Sequence, residues 1–230
     1  MTMETEFSMK TLQINRNPMN LALTAKKKAG LRIGYMESAL RGFYLNSLET
    51  GSGHEEISTY LLDKFNCKDA NSSCESFQFL LNEGDRTSYA ILLPYLLSAE
   101  NLIEFEKIIR ERFFGIERFI QQGKNLYNFL EYIDKRNEPV VWLNDLEKGI
   151  IGWDMGQLVG LVRAATEKKY IKKKEAWEYI EQGRILCAES LYTPEQIDKS
   201  YLIGQAMKSS KIEDWEHLIL YYSLVRRAKE

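Results

Sequence analysis

The sequence predicts an all-α protein, a single globular multi-helix bundle of about nine to eleven helices. Three observations carry that reading. Apolar residues recur at spacings of three and four nearly throughout the 230 residues, the period of a helix with one buried face. The four prolines, Pro18, Pro94, Pro139 and Pro194, read as punctuation between such runs. The only strand candidate, residues 139–143, is too short to support a sheet alone. At 44% hydrophobic and 28% charged the composition is ordinary for a globular chain. A chain of this length removes roughly 70–75% of its unfolded surface from water, enough for a core without disulfides or metals.

Taken in order, residues 1–20 read as a flexible lead-in. They lack the apolar run and small-residue site of a secretory signal and mix Glu4, Glu6, Lys10 and Arg16 with Pro18. Residues 21–230 follow as one helical domain. Its first helix is expected over 21–48, with Leu31, Tyr35, Ala39, Gly42 and Phe43 on one face, broken by Thr50-Gly51-Ser52-Gly53. Residues 55–65 place Ile57, Tyr60, Leu61 and Phe65 inward, and residues 71–81 do the same with Cys74, Phe77, Leu80 and Leu81. Gly84 ends the latter, because glycine accepts the left-handed conformation of many helix C-termini.

Helices over 87–97 and 102–122 are expected next, the second with Ile109, Phe113, Ile116 and Phe119 among charges, one face buried and one wet. After Gly123 the pattern resumes over 126–133. Lys135-Arg136-Asn137-Glu138-Pro139 is the strongest candidate for a lobe boundary, near 135–140, being charged and closed by proline. The last third gives helices over 153–167, 172–190, 194–209 and 213–229. Thr193-Pro194-Glu195-Gln196 is a capping box with proline at the first helical position.

These elements exclude several classes of function. The apolar run at 90–97 contains Pro94 and meets Glu100, well short of the ~18 uncharged apolar residues of a membrane span. Cys67, Cys74 and Cys187 are odd in number and lack zinc-site spacing, so they read as small buried hydrophobes in a cytoplasmic protein. No phosphate-binding or dinucleotide-binding glycine loop, nucleophile elbow or zincin helix is present, and no cofactor or metal is implied. His54, before Glu55-Glu56, fits the start of a helix better than a catalytic base.

Between Gly152 and Ala176 lies the densest pattern. Trp153, Gly156 and Gly160 fall three and four apart, so the small residues share a face and admit a second helix. Asp154 reads as a first-turn acid stabilising its own helix. Arg163 lies 2.5 turns further on, on the opposite side, so the two do not pair and each needs a partner elsewhere. Tyr170 closes the following loop, and Trp177 with Ile180 forms an aromatic stripe of the kind that lines a core.

The string Trp153-Asp154-x-Gly156, then Val159, Leu161, Arg163, Tyr170, Ala176-Trp177 and Ser200-Tyr201-Leu202-Ile203-Gly204-Gln205-Ala206 resembles the bacterial domain of unknown function 1266 family. Leu80-Leu81-Asn82-Glu83-Gly84-Asp85-Arg86 is similar to a helix-end signature of the same family, and the resemblance spans roughly residues 50–210. The chain departs from the family pattern at Gln157, where arginine is common, at Lys169, where glycine precedes the tyrosine, and near Tyr192, where a second tryptophan is expected. The resemblance implies a helical fold and no established activity.

Charge is the one global feature with functional content. Seven Lys/Arg face three Glu over residues 1–48, four face eleven Asp/Glu over 49–107, and twenty face nineteen over 108–230. An acidic middle attracts a basic partner, although a solvated helical face has the same composition. Lys168, Lys169, Lys172, Lys173 and Lys174 form too brief a basic run for a nucleic-acid footprint in this acidic chain. The expectation is therefore an interaction protein, an immunity protein that neutralises a basic toxin domain through Glu55, Glu56, Glu100, Glu104 and Glu106. The alternatives are an enzyme or small-ligand protein using Asp154, Gln157 and Arg163, and a cytoplasmic scaffold.

Overall fold

A computed structural model describes residues 13–19, 22–136, 140–191 and 193–228, and these residues are all-helical, without a strand. Twelve helices follow in order: α1 Ala25–Ile33, α2 Tyr35–Arg41, α3 His54–Phe65, α4 Ala70–Asn82, α5 Arg86–Ser98, α6 Leu102–Arg112, α7 Glu117–Asp134, α8 Leu143–Glu147, α9 Ile151–Glu167, α10 Lys173–Ser190, α11 Pro194–Ala206 and α12 Ile212–Arg227. Of the strand candidate, residues 140–142 are neither strand nor helix and only Leu143 enters α8, and residues 1–12 and 20 of the lead-in and 137–139 of the boundary lie outside the described residues.

α9 is the centre. Every residue from Gly152 to Ala165 is buried, as befits a helix apolar nearly all round, and α1, α2, α3, α4, α10 and α11 pack against it. A second group, α5, α6 and α7, packs together, with α7 joined to α11. One cluster of buried apolar residues runs from Leu31 to Val225, so residues on both sides of 135–140 share a core.

Several boundaries differ from the expectation: the first helical stretch ends at Arg41 and not at 48, where Gly42 turns left-handed with φ of 72°, and the helix expected over 194–209 ends at Ala206. The first helix is two helices, parted at Gly34, where a β-carbon would lie 2.5 Å from Val159 Cγ1 of α9. The helix expected over 102–122 stops at Arg112, because Phe114 and Gly115 turn left-handed with φ of 52° and 67°. Gly123 is no breaker but lies within α7, where its missing side chain makes room for the Phe105 ring. Pro94 likewise lies inside α5 without ending it.

Other caps match the sequence. Thr193 Oγ1 accepts from the Gln196 N–H and Gln196 Oε1 from the Thr193 N–H, both at 3.2 Å. Gly84 adopts φ of 62° just past α4, its N–H returning to the Phe79 carbonyl. Cys67 and Cys187 are buried, Cys74 is half-buried, and all three thiols are unbridged.

Candidate functional site

The sequence strings around Gly84 and Trp153 interlock in space. Asp154 Oδ1 accepts from the Asp85 N–H at 2.9 Å and Oδ2 from the Arg86 N–H at 3.2 Å. Arg86 closes the joint, with Nη1 on Asp154 Oδ2 at 2.9 Å and on the Leu80 carbonyl, and Nη2 on the Leu81 carbonyl, each carbonyl at 2.6 Å. Asp154 is thus a first-turn acid that does not serve its own turn. It caps α5, whose free N–H groups and positive end it meets through space, correcting the sequence reading. Burial pushes its carboxyl up to about 6, against the pull of Arg86 and the two N–H groups.

Trp153 completes the joint. Its Nε1 donates to Asp85 Oδ2 at 2.9 Å, and its ring meets Tyr201 with centroids 5.0 Å apart. Gly204 on α11 lies so close to the indole that a β-carbon there would collide with it, and one at Gly156 would reach the Tyr201 ring at 2.7 Å. Gly156 and Gly204 therefore let α9 and α11 meet around one tryptophan, whereas Gly160, expected on the same contact, faces Tyr60 of α3 and Glu37 of α2. Asp85 also receives Arg118 Nη2 and Lys208 Nζ, both at 2.8 Å. Burial raises its carboxyl, but Lys208, Trp153 and Arg118 outweigh that and hold it below the usual carboxylate range.

Arg163 finds its partners on the opposite side of α9. Nη1 donates to Ser38 Oγ at 2.7 Å, and Nη2 to the Tyr44 and Glu49 carbonyls at 2.6 and 2.7 Å, with Nε on the Leu48 carbonyl at 3.3 Å. The guanidinium is 1% exposed, and burial pulls its pKa down to about 10. One turn on, Glu167 accepts from the Thr50 N–H and, at 3.0 Å, from its hydroxyl. Together they fasten residues 43–50 to α9. Tyr170 and Trp177 are half-buried against the core, Lys27 lying over the Trp177 ring.

Glu37 was not among the sequence candidates, yet it anchors a buried polar cluster. Fully buried on α2, it accepts from Lys64 Nζ at 2.6 and 2.8 Å, from Tyr60 Oη at 2.9 Å, from Arg41 Nε at 3.3 Å and from Tyr201 Oη. Burial alone would raise its carboxyl; Lys64 and Arg41 outweigh it and hold Glu37 down at about 2. Burial brings Lys64 down to about 8, with Arg41 and Lys208 adding to it against Glu37. Its only mark in the sequence is that Glu37 is the one charge between Arg32 and Arg41; the helix proves to be buried continuously from Tyr35 to Ala39.

Above this cluster opens a cleft of about 820 Å³ between α3 and α4 on one side and α9 and α11 on the other, with Lys64, Asp85, Trp153, Gln157, Gln205 and Lys208 in its lining. Of the Asp154, Gln157 and Arg163 set, only Gln157 reaches it. The fold does not unite the three; Asp154 and Arg163 are spent on packing. Among the described residues no group of three or more His, Cys, Asp or Glu is placed to hold a metal ion, and no helix is long and apolar enough to cross a membrane.

The five surface acids divide between two regions. Glu55 and Glu56 stand exposed in the first turn of α3, which packs on α9, whereas Glu104 and Glu106 belong to α6, which packs on α5 and α7. Glu56 accepts from the Gly53 N–H and Glu104 from the Glu100 N–H. Glu106 holds Arg110 at 2.6 Å and Lys124 at 3.0 Å. His54 begins α3 as expected, its Nε2 2.7 Å from Lys168 Nζ.

Comparison with known proteins gives one match. The model of a family described as a protein of unknown function, DUF1266, matches residues 60–229. No curated protein and no solved structure matches the chain.

Proposed function

From the premise that the chain belongs to the DUF1266 family, we propose that it acts by binding a protein partner and not by catalysis, and that it is an immunity protein neutralising a basic toxin domain in the bacterial cytoplasm. The observation that carries this reading is the wet face of α3. Glu55, Thr59 and Asp63 recur every four residues there, all exposed, with Glu56 beside them. Among the described residues neither Glu55 nor Asp63 has an ion-pair partner.

Unpaired carboxylates on one rigid helix present a field complementary to a basic cleft, which speeds encounter and rejects acidic surfaces. The same face borders a shallow groove with Ser52, Phe43 and Tyr60 in its lining, giving a partner shape as well as charge. The charged groups of the sequence strings support the non-catalytic part: Asp154, Arg163 and Asp85 all satisfy backbone or side-chain partners within the fold. Of the five positions, Glu55 and Glu56 on α3, Glu104 and Glu106 on α6 and Glu100 before α6, the reading favours the α3 face, since Glu106 is neutralised by Arg110 and Lys124.

Co-expression with the product of the adjacent upstream gene tests the reading. A complex that forms at micromolar concentration and blocks that product's toxicity supports it. Glu55→Lys with Asp63→Lys is expected to slow association at least about ten-fold without changing the circular dichroism, as reversal of steering charges does. Absence of any complex at micromolar concentration overturns it.

A further inference from the structure

The cleft beside α9 holds two observations that the protein-binding reading leaves unused. The first is an excess of cations over the two buried carboxylates that they pair with. Glu37 carries two cations, Lys64 and Arg41, and Asp85 carries two, Lys208 and Arg118. Three of these four, Arg41, Lys64 and Lys208, face the cleft. Each buried carboxylate neutralises one of its pair, so the floor keeps a surplus. Of these cations Lys64 lies deepest, while Arg41 and Lys208 are exposed, as are Asp63 and Glu75, the lining acids that have no ion partner among the described residues.

The second observation is Gln157. Its side chain is 5% exposed, lines the cleft, and has no hydrogen-bond partner among the described residues. Its polar atoms open to the cleft instead of being sealed off as Gln122 Oε1 and Tyr222 Oη are, so a ligand entering the cleft can complete the amide's hydrogen bonds. Gln205 repeats the arrangement across the cleft, half-buried and likewise without a side-chain partner. Lys64 lies 5.2 Å over the Trp153 ring, and the indole N–H is already spent on Asp85, so Trp153 offers the cleft a face and not a donor.

We propose that this cleft binds a small molecule whose carboxylate or phosphate is received by Lys64, Lys208 and the Gln157 amide, and whose apolar body rests against Leu62 and Phe79. The polarity follows from the floor. Cations crowded on one another are relieved by an anion and repel a cation, and an amide N–H₂ complements an oxyanion. The apolar body follows from the rim, where Leu62 and Phe79 stay 44% and 45% exposed beside a space of about 820 Å³, more than a bare oxyanion fills. The lowered pKa of Lys64 fits, since Arg41 and Lys208 contribute to it. The cleft shares Asp63 at its rim with the α3 face proposed above, but Gln157 and Lys208 belong to the cleft alone, so variants of those two test it independently of that reading.

Calorimetric titration of the full chain with benzoate and phenyl phosphate, and with benzyl alcohol as the uncharged counterpart, tests the site, while the Trp153 indole N–H resonance reports where they bind. At least one anion is expected to bind with millimolar or tighter affinity and shift that resonance, with benzyl alcohol about ten-fold weaker or worse, the ratio one charge-assisted hydrogen bond supplies. The anion that binds more tightly identifies the source as carboxylate or phosphate. Gln157→Leu and Lys208→Gln, both checked by thermal melting, are each expected to weaken the anion about ten-fold or more. No heat and no shift with either anion at 10-fold higher concentration than that range (~10 mM), equal binding of benzyl alcohol, or anion binding unchanged in both variants overturns the proposal.

Discussion

Gly84 and Asp154 occupy adjoining space: a β-carbon on Gly84 would fall on the Asp154 carboxylate and on Arg86 Nη1. Gly84 also holds φ of 62°, where a side chain costs about 1–2 kcal/mol by itself. The two demands add. Gly84→Ala is expected to lower the unfolding free energy by about 2–4 kcal/mol, read by urea denaturation, and to broaden the Asp85 and Arg86 amide resonances. A loss below about 0.5 kcal/mol, the usual range of surface changes, would show that the joint does not hold α4, α5 and α9 together.

Glu37 gives the protein a definite acid response. Its carboxyl is at about 2 when folded against an ordinary 4.5, so the unfolded chain binds the extra proton between those values and stability rises with pH across that window. The contribution is complete above about pH 4.5 and is lost as pH falls towards 2, on the order of 3 kcal/mol at 1.36 kcal/mol per unit. In Glu37→Gln this part of the pH dependence is expected to vanish, and stability at pH 7 to drop because Lys64 remains half-buried without its anion. Thermal melting from pH 2.5 to 7 compares the two.

Arg163 is expected to tolerate no cationic substitute. Its planar guanidinium reaches three carbonyls and the Ser38 hydroxyl at once, a span that a lysine ammonium cannot cover. Arg163→Lys should cost about 2–4 kcal/mol, with amide hydrogen exchange accelerated over residues 43–50 before other regions. Uniform exchange across the chain would instead show that those residues are held by other contacts.

Lys169 carries a stabilisation that the chain forgoes. It holds φ of 60° just past α9, the left-handed turn in which its neighbour's N–H, that of Tyr170, returns to the Ala165 carbonyl. It is also the position at which the family resemblance expects glycine. Lys169→Gly is expected to raise stability by about 0.5–1 kcal/mol, the relief of a left-handed β-carbon less the entropy of a freer unfolded chain. A melting temperature that falls would mean the Lys169 side chain makes a compensating contact.

The legible part of the fold was the part written in local periodicity. α3, α4, α6 and α12 carry one apolar stripe each, and α9 reads as buried because it is apolar with only Asp154, Gln157 and Arg163 before its last turn. What was not legible depended on partners far along the chain. Gly34 parts α1 from α2 because Val159 approaches it; Gly123 stays helical because Phe105 fills its place. Asp154 looks like any first-turn acid until the α5 N-terminus is placed beside it. Gln157 carried no signal for the cleft beyond a polar residue in an apolar helix, and the same holds for Glu37, whose Tyr201 partner lies 164 residues away.

The fastening of residues 25–50 to α9 and α11 separates two boundaries that are usually taken as one. The family-defining segment begins at residue 60, but Lys64, Tyr60 and Tyr201 find their shared acceptor at Glu37, Arg163 its carbonyls at residues 44, 48 and 49, and Asp198 its counter-ion at Arg32. A chain trimmed to the matched segment would leave two buried charges and several buried donors unmet at the very centre of the molecule. In this chain the matched segment is therefore shorter than the unit of stability, because the acid and the ring of carbonyls that its buried groups need come from residues 25–50.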